Sequence, residues 1–97
     1  MRQMEICRKR TRLDTESDCT LVYYITVDDL TEPHSGMELE SFGVGVTICE
    51  NGETGIVPNV TFSKTGVLTL ADLLAFHLVT PATVRDIVED WLCNDGP

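Results

Sequence analysis

The sequence predicts an α+β domain, in which an antiparallel meander of about four strands precedes two C-terminal helices packed on one face of the sheet. Two observations support this. The first half of the chain alternates apolar and polar residues with a period of two, whereas residues 67–92 carry apolar residues at helical spacing. Strands that precede helices, without alternating with them, are typical of α+β domains. We expect a single domain over residues 1–97, with a sheet region at 3–60 and a helical hairpin at 63–93.

The first two strands are predicted from alternation and from charge. Residues 19–27 alternate β-branched and aromatic side chains with polar ones, which is typical of a strand. Residues 3–13 contain the basic segment Arg8–Arg12, and we expect them to form a first strand paired with residues 19–27. Its charge suits a sheet edge, where charged side chains discourage aggregation. Residues 14–18 are predicted to form a turn.

The third strand follows an expected exposed loop at residues 28–36, which contains Pro33 and Gly36. Strand character resumes near Met37. One face of the third strand is predicted to pack under the helices, and it consists of Phe42, Val44, Val46 and Ile48. The opposite face carries Gly43 and Gly45, and we expect Tyr24 to lie across both glycines.

A hairpin is predicted at Asn51-Gly52, because both central positions of a type I′ turn need positive φ. The return strand is expected at residues 53–60. Pro58 cannot donate a ladder hydrogen bond, so this strand should lie at an edge or end there.

Two helices complete the chain. Ser63 is the expected N-cap of the first, whose buried face is predicted as Val67, Leu70, Ala71, Leu74 and Leu78. The second is expected to start with Thr80 as N-cap and Pro81 at its first position. Its buried face is predicted as Val84, Ile87, Val88, Trp91 and Leu92.

Charge limits the possible partners. Acidic residues outnumber basic ones 16 to 7, and the formal net charge is −9. Five of the seven basic residues lie in residues 1–12, so the rest of the chain is strongly acidic and repels phosphate backbones. Two features leave nucleic-acid binding open as an alternative, namely the helix at 80–92, which resembles a helix-turn-helix recognition helix, and the basic segment 8–12. The helix is itself net acidic, and an ordinary helical hairpin is favoured.

The histidines do not indicate a catalytic or metal site. His34 lies near Asp28, Asp29 and Glu32, but their spacing matches no metal-binding loop, so we expect a solvated histidine. His77 lies at the end of the first helix, where it is expected to cap the helix. The sequence contains no nucleotide-binding glycine pattern and no catalytic spacing around either histidine. We predict no enzymatic activity, no cofactor, no metal and no small-molecule substrate.

Cys7, Cys19, Cys49 and Cys93 include no C-x-x-C pair, and we expect four reduced thiols. The sequence shows neither a signal peptide nor an apolar run long enough to span a membrane. The expected location is therefore the cytoplasm, without contact to a membrane.

Two apolar residues of the first helix lie outside its predicted buried face. Phe76 falls on the far side of the first helix from its buried face, and Leu73 is next to it. We predict that Leu73 and Phe76 contribute to a contact surface, with a homodimer as the favoured explanation and cover from elsewhere in the same chain as the alternative.

Three groups of residues resemble a family of small uncharacterised proteins from Firmicutes. They are Tyr23-Tyr24, Phe42-Gly43-Val44, and Thr80-Pro81 followed by the segment 86–92. The resemblance spans most of residues 19–92. It implies a cytoplasmic bacterial protein and brings no known activity and no functional residues.

Together these observations favour a small non-enzymatic protein-interaction or regulatory module with a protein partner or a second copy of itself. The alternative is a nucleic-acid-associated regulator that uses the helix at 80–92 or the basic segment 8–12.

Overall fold

The computed structural model describes residues 1–12 and 18–94. Its strands form one antiparallel sheet in sequence order and are β1 (Arg2–Arg12), β2 (Asp18–Thr31), β3 (Glu38–Ile48) and β4 (Thr54–Thr61). Helices α1 (Lys64–Phe76) and α2 (Val84–Asn94) follow. The predicted α+β fold is confirmed. The turn expected at 14–18 lies outside the described residues except for Asp18, which belongs to β2.

The core lies between one face of the sheet and the two helices. The predicted inward face of β3 is buried, as are Leu21, Tyr23, Ile25 and Val27 of β2. α1 packs across the sheet, and α2 packs mainly on β4. Within the described residues, no helix has the length and apolar content to cross a membrane.

β2 and β3 extend further than the sequence predicted. The loop expected at 28–36 is shorter, because residues 28–31 continue β2 and pair with residues 38–41 of β3. Arg2 stabilises this pairing, since its guanidinium lies 2.9 Å from the Asp29 carboxylate and 3.1 Å from that of Glu40. The Glu32 N–H donates to the Met37 carbonyl at 2.8 Å and closes the loop. We call residues 28–41 the β2–β3 arm.

The arm projects beyond the neighbouring strands. β1 pairs with β2 only as far as Val27, opposite Arg2, and β4 pairs with β3 only as far as Phe42, opposite Thr61. In the described part of the chain, the last four β2–β3 pairs therefore have no strand on either side. The longest dimension of the molecule is 55 Å.

The hairpin between β3 and β4 forms where predicted, but with a longer turn. Positive φ occurs at Gly52 (φ 76°) and not at Asn51, so the turn is not type I′. The Ile48 N–H donates to the Glu53 carbonyl, leaving four loop residues, 49–52. Glu50 in this loop accepts from the backbone N–H and the hydroxyl of Thr20 at 2.8 and 3.0 Å. These bonds, above all the one from the N–H, lower the pKa of Glu50.

The two strand glycines are covered by different groups. Tyr24 covers Gly45 as predicted, because a Cβ at this glycine would lie 2.5 Å from the Tyr24 Cζ. Gly43 is covered by β4 instead of Tyr24, which corrects the prediction. A Cβ there would lie 2.6 Å from the Pro58 Cα. The backbone of β4 bulges across this glycine, with residues 58–60 between the pairs Val44–Val57 and Phe42–Thr61.

The helices begin and end differently from the predicted pattern. Ser63 caps α1 as expected, since its hydroxyl accepts the Gly66 N–H at 2.9 Å. Leu78, predicted on the buried face of α1, lies beyond the helix and is half-exposed, and Val79 is buried instead. The Thr80 carbonyl accepts the N–H groups of Thr83 and Val84, so a turn precedes α2 and the helix itself starts at Val84. Leu92, predicted to be buried, is half-exposed.

Candidate functional site

A groove of about 630 Å³ lies between the end of α1, the connection at 77–83 and the exposed side of α2. Its lining residues are Leu73, His77, Leu78, Val79, Thr80, Thr83, Ile87, Asp90 and Trp91. Val79 and Trp91 are buried, and Leu73 and Ile87 are half-buried against the core. The floor of the groove is therefore continuous with the hydrophobic core. We call this feature the α1–α2 groove.

The end of α1 positions one side of the groove through a Schellman motif. The Val79 N–H donates to the Leu74 carbonyl at 3.0 Å, and the Leu78 N–H donates to the Ala75 carbonyl at 3.2 Å. This geometry places Leu78 in the left-handed region at φ 52°. Glycine is the usual residue here, and a leucine costs about 1 kcal/mol or more. The chain thus keeps a strained leucine whose side chain lines the groove.

A buried tyrosine fixes the floor. The Tyr23 hydroxyl donates to the Val79 carbonyl at 2.9 Å, which ties the connection between the helices to the centre of β2. Tyr23 is fully buried. Burial, with a smaller contribution from the Cys7 thiol, raises the pKa of Tyr23 to about 12. The tyrosine therefore stays neutral and continues to donate to Val79 throughout the physiological pH range.

The rim of the groove is polar and acidic. The hydroxyls of Thr80 and Thr83 lie 3.2 Å apart on one side. On the other side, the Asp90 carboxylate accepts from the Asn94 side chain at 2.9 Å. Asp86 and Glu89 are exposed on the same helix, whose only basic residue is Arg85. Asp90 lines the groove and places a carboxylate at the edge of the apolar floor, an arrangement that suits a ligand with apolar anchors and a positive charge.

Of the two residues predicted to form a contact surface, Leu73 lines this groove and Phe76 lies next to His77, which also lines it. Leu73 lines it and is half-buried, whereas Phe76 is 80% exposed beside it. The Phe76 ring stands edge-on to the His77 ring, with 5.1 Å between their centroids. The structure thus brings Leu73 and Phe76 to one surface region. Whether a second copy or another protein contacts them stays a prediction.

The sequence matches, over residues 2–94, the model of a family of unknown function, DUF6514. The chain belongs to the DUF6514 family. The predicted resemblance to an uncharacterised family is confirmed at this level, and the bacterial source stays a prediction. No curated protein and no solved structure shows significant similarity to the chain.

Two features of this DUF6514 protein left nucleic-acid binding open, namely the helix at 80–92 and the basic segment 8–12. The connection at 77–83 is longer than the three- or four-residue turn of a helix-turn-helix motif. In the basic segment of β1, Arg8 pairs with Glu5 at 2.9 Å, and Arg10 and Arg12 each lie 3.6 Å from Asp18. Three of these basic side chains thus lie next to acidic side chains of β1 and β2, at exposed positions of the sheet.

The remaining candidate residues are the histidines, the carboxylates near His34 and the cysteines. His77 is the C-cap residue of α1, where its backbone N–H donates to the Leu73 carbonyl at 3.1 Å, and the predicted interaction of its side chain with the helix dipole stays a prediction. In the arm, hydrogen bonds from the Ser35 side chain, and then from the backbone N–H groups of Ser35 and His34, lower the pKa of Glu32. Across residues 1–12 and 18–94, no group of three or more His, Cys, Asp or Glu side chains is placed to hold a metal ion. Within the same residues, the four cysteines form no disulfide, and Cys49 and Cys93 are exposed.

Sequence reasoning missed most of the groove. Leu78 and Val79 carry its inner wall, yet helical spacing placed Leu78 in the core and gave Val79 no role. No local signal marked this turn, because a Schellman motif is recognised in a sequence by its glycine, and residues 77–83 contain none.

Proposed function

We propose that the chain is a non-enzymatic protein-interaction module that binds another protein through the α1–α2 groove. The observation that carries the proposal is the strained Leu78 beside the exposed Phe76. Neither the core nor the Schellman motif needs a leucine at position 78, since glycine would form the same turn without strain. Strain retained at a surface groove is typical of a functional site.

The proposed ligand is an amphipathic helix with apolar anchors on one side and lysine or arginine at its margin. An apolar floor bounded by two helices suits such a segment. Asp90, which lines the groove, would face a basic residue of this segment, and Asp86 and Glu89 add negative charge to the same helix. The same carboxylates weigh against the alternative of nucleic-acid binding by this helix, because they would face phosphates.

The test is affinity capture from extract of the native cell with three versions of the chain, namely wild type, Phe76→Asp and Phe62→Asp. Phe62 is the matched control, since it is also a strongly exposed phenylalanine (63%) but precedes α1, whereas Phe76 ends α1 next to the groove-lining His77. Both changes should leave the free energy of unfolding within about 0.5 kcal/mol of wild type, as is usual at exposed positions.

The proposal predicts proteins that wild type and Phe62→Asp retain and Phe76→Asp loses by at least about tenfold. Their binding should also weaken as salt is raised, because the rim is acidic. An identical set of captured proteins for all three versions, or none for any of them, would contradict the proposal.

A further inference from the structure

The β2–β3 arm has one apolar face and one acidic face. Consecutive residues of a strand point to opposite sides of the sheet, so Leu30 and its partner Leu39 share one face with Met37. Asp29, Glu40 and Glu38 share the other face. The three apolar side chains are between a third and three-fifths exposed, although nothing in the core requires them at this end of the molecule.

The apolar face continues into a recess at its base. This recess, of about 420 Å³, is lined by Leu30, Ser41 and residues 59–63, and it includes the exposed ring of Phe62. The surface therefore combines a projecting part, Leu39 and Met37 on the arm, with a concave part next to it. A contact related by a two-fold axis needs this combination, because each copy must offer both the knob and the recess.

The charge distribution permits a second copy as the occupant. The chain carries a net charge of −9, so two copies repel each other unless they meet through a surface without acidic side chains. The acidic residues of the arm lie mainly on its opposite face. Asp28, on the apolar face, lies 3.6 Å from the terminal ammonium of Met1. The α1–α2 groove, in contrast, would bring acidic rims together.

We propose that the apolar face of the arm is a second binding surface and that a second copy of this chain occupies it, with the arm of each copy seated in the recess of the other. The contact is small, so the dissociation constant should be on the order of 100 µM. This proposal is independent of the proposed function, because it uses a different surface and a different occupant.

The test is sedimentation equilibrium of the full chain at up to about 1 mM, a concentration well above that expected dissociation constant. Wild type should form dimers, and Leu30→Asp should raise the dissociation constant at least about tenfold. Thr31→Asp is the matched control, since it adds the same charge at the next residue but on the acidic face. It should raise the constant less than about threefold, as expected for a charge outside the contact. Circular dichroism establishes that each variant is folded.

The salt dependence of the dimer and the substitution of two phenylalanines test the proposal independently. Raising salt from about 0.05 M to about 0.5 M should strengthen the dimer, because it screens the repulsion between two acidic chains. Phe62→Asp should weaken the dimer like Leu30→Asp, whereas Phe76→Asp should leave it unchanged. A chain that stays monomeric at every concentration overturns the proposal, as does equal weakening by Leu30→Asp and Thr31→Asp. A dimer lost in Phe76→Asp and kept in Phe62→Asp overturns it too.

Discussion

The α1–α2 groove and the β2–β3 arm expose apolar side chains to a similar degree, with Leu78 39% and Leu30 41% exposed, yet they are supported very differently. The groove lies on buried Val79 and Trp91, and Tyr23 anchors it to the central strand. The arm consists of two strands, with no further strand beside it among the described residues. The first surface is therefore held in shape before any ligand arrives, whereas an isolated two-stranded ribbon is only marginally stable.

The surroundings of the two regions differ in charge as well. Asp90 of α2 lines the groove, whereas Asp29, Glu38 and Glu40 of the arm lie on the face opposite its leucines, and Asp28 on the apolar face lies next to the Met1 ammonium. The exposed leucines alone do not distinguish the two surfaces. The positions of the carboxylates do, and they favour a basic partner for the α1–α2 groove and a second copy for the apolar face of the arm.

The largest expected change in stability comes from a substitution that disturbs the support of the groove. Gly55 of β4 lies under the start of α2, and a Cβ there would be 2.5 Å from the Pro81 carbonyl oxygen and 2.8 Å from Val84. We expect Gly55→Ala to lower the free energy of unfolding by about 2–3 kcal/mol, because α2 must move outwards. Urea denaturation measures this change.

Gly66→Ala is the control for that experiment. A Cβ at Gly66 meets the Ser63 side chain at 3.2 Å, and alanine is a better helix former, so the change should be neutral or stabilising. Hydrogen exchange in the arm should stay the same in Gly55→Ala, because the arm does not rest on α2. If Gly55→Ala has the same free energy of unfolding as wild type, the close approach of β4 to the start of α2 does not hold the helix in place.

A second effect concerns the anchor of the groove. Because the pKa of Tyr23 is about 12 in the folded chain and about 10 in the unfolded one, the unfolded chain loses its proton first as the pH rises. This contribution to stability is complete below pH 10 and is lost between about pH 10 and pH 12, with a total of about 2–3 kcal/mol.

Urea unfolding curves at pH values from about 8 to 11.5 test this prediction, with Tyr23→Phe as the reference. The difference in stability between wild type and Tyr23→Phe should shrink as the pH rises. If the two proteins lose stability in parallel, the Tyr23 hydroxyl does not anchor the groove in the way described.

The smallest effect compares the two non-glycine residues with positive φ. Leu78 lies at the groove with φ 52°, and Asn59 lies at the recess beside the arm with φ 56°. Leu78→Gly should raise the free energy of unfolding by about 1 kcal/mol through relief of strain. Asn59→Gly should raise it by less than about 0.5 kcal/mol, because asparagine tolerates this conformation.

Thermal unfolding of both variants checks the order of the two effects. Leu78→Gly should also bind the partner of the groove more weakly, since it removes a lining side chain. A clearly destabilised Leu78→Gly would mean that packing of this leucine outweighs its strain.

The sheet was predictable because the alternation in residues 19–27 and 42–48 directly reflects one buried face. The arm was not, because Asp28, Asp29 and Pro33 are typical of a loop. Its pairing depends on Arg2, which lies 27 residues before Asp29 in the sequence and contacts both strands. Local patterns carry no information about such a contact.

At the groove, helical periodicity placed Phe76 away from the buried face of α1, and its side chain is 80% exposed, whereas Leu73 packs partly against the core. It failed at Leu78, because periodicity continues past the residue at which the backbone turns. Whether α1 stops at Phe76 depends on the burial of Val79 and on its bond to Tyr23, which are tertiary contacts.

The bulge of β4 across Gly43 has a consequence for related sequences. A side chain at position 43 and the extra backbone of residues 58–60 compete for the same space. Family members that carry a larger residue at this position should therefore have a shorter, straight fourth strand, and the two changes should occur together. The length of one strand would thus be readable from a single residue on its neighbour.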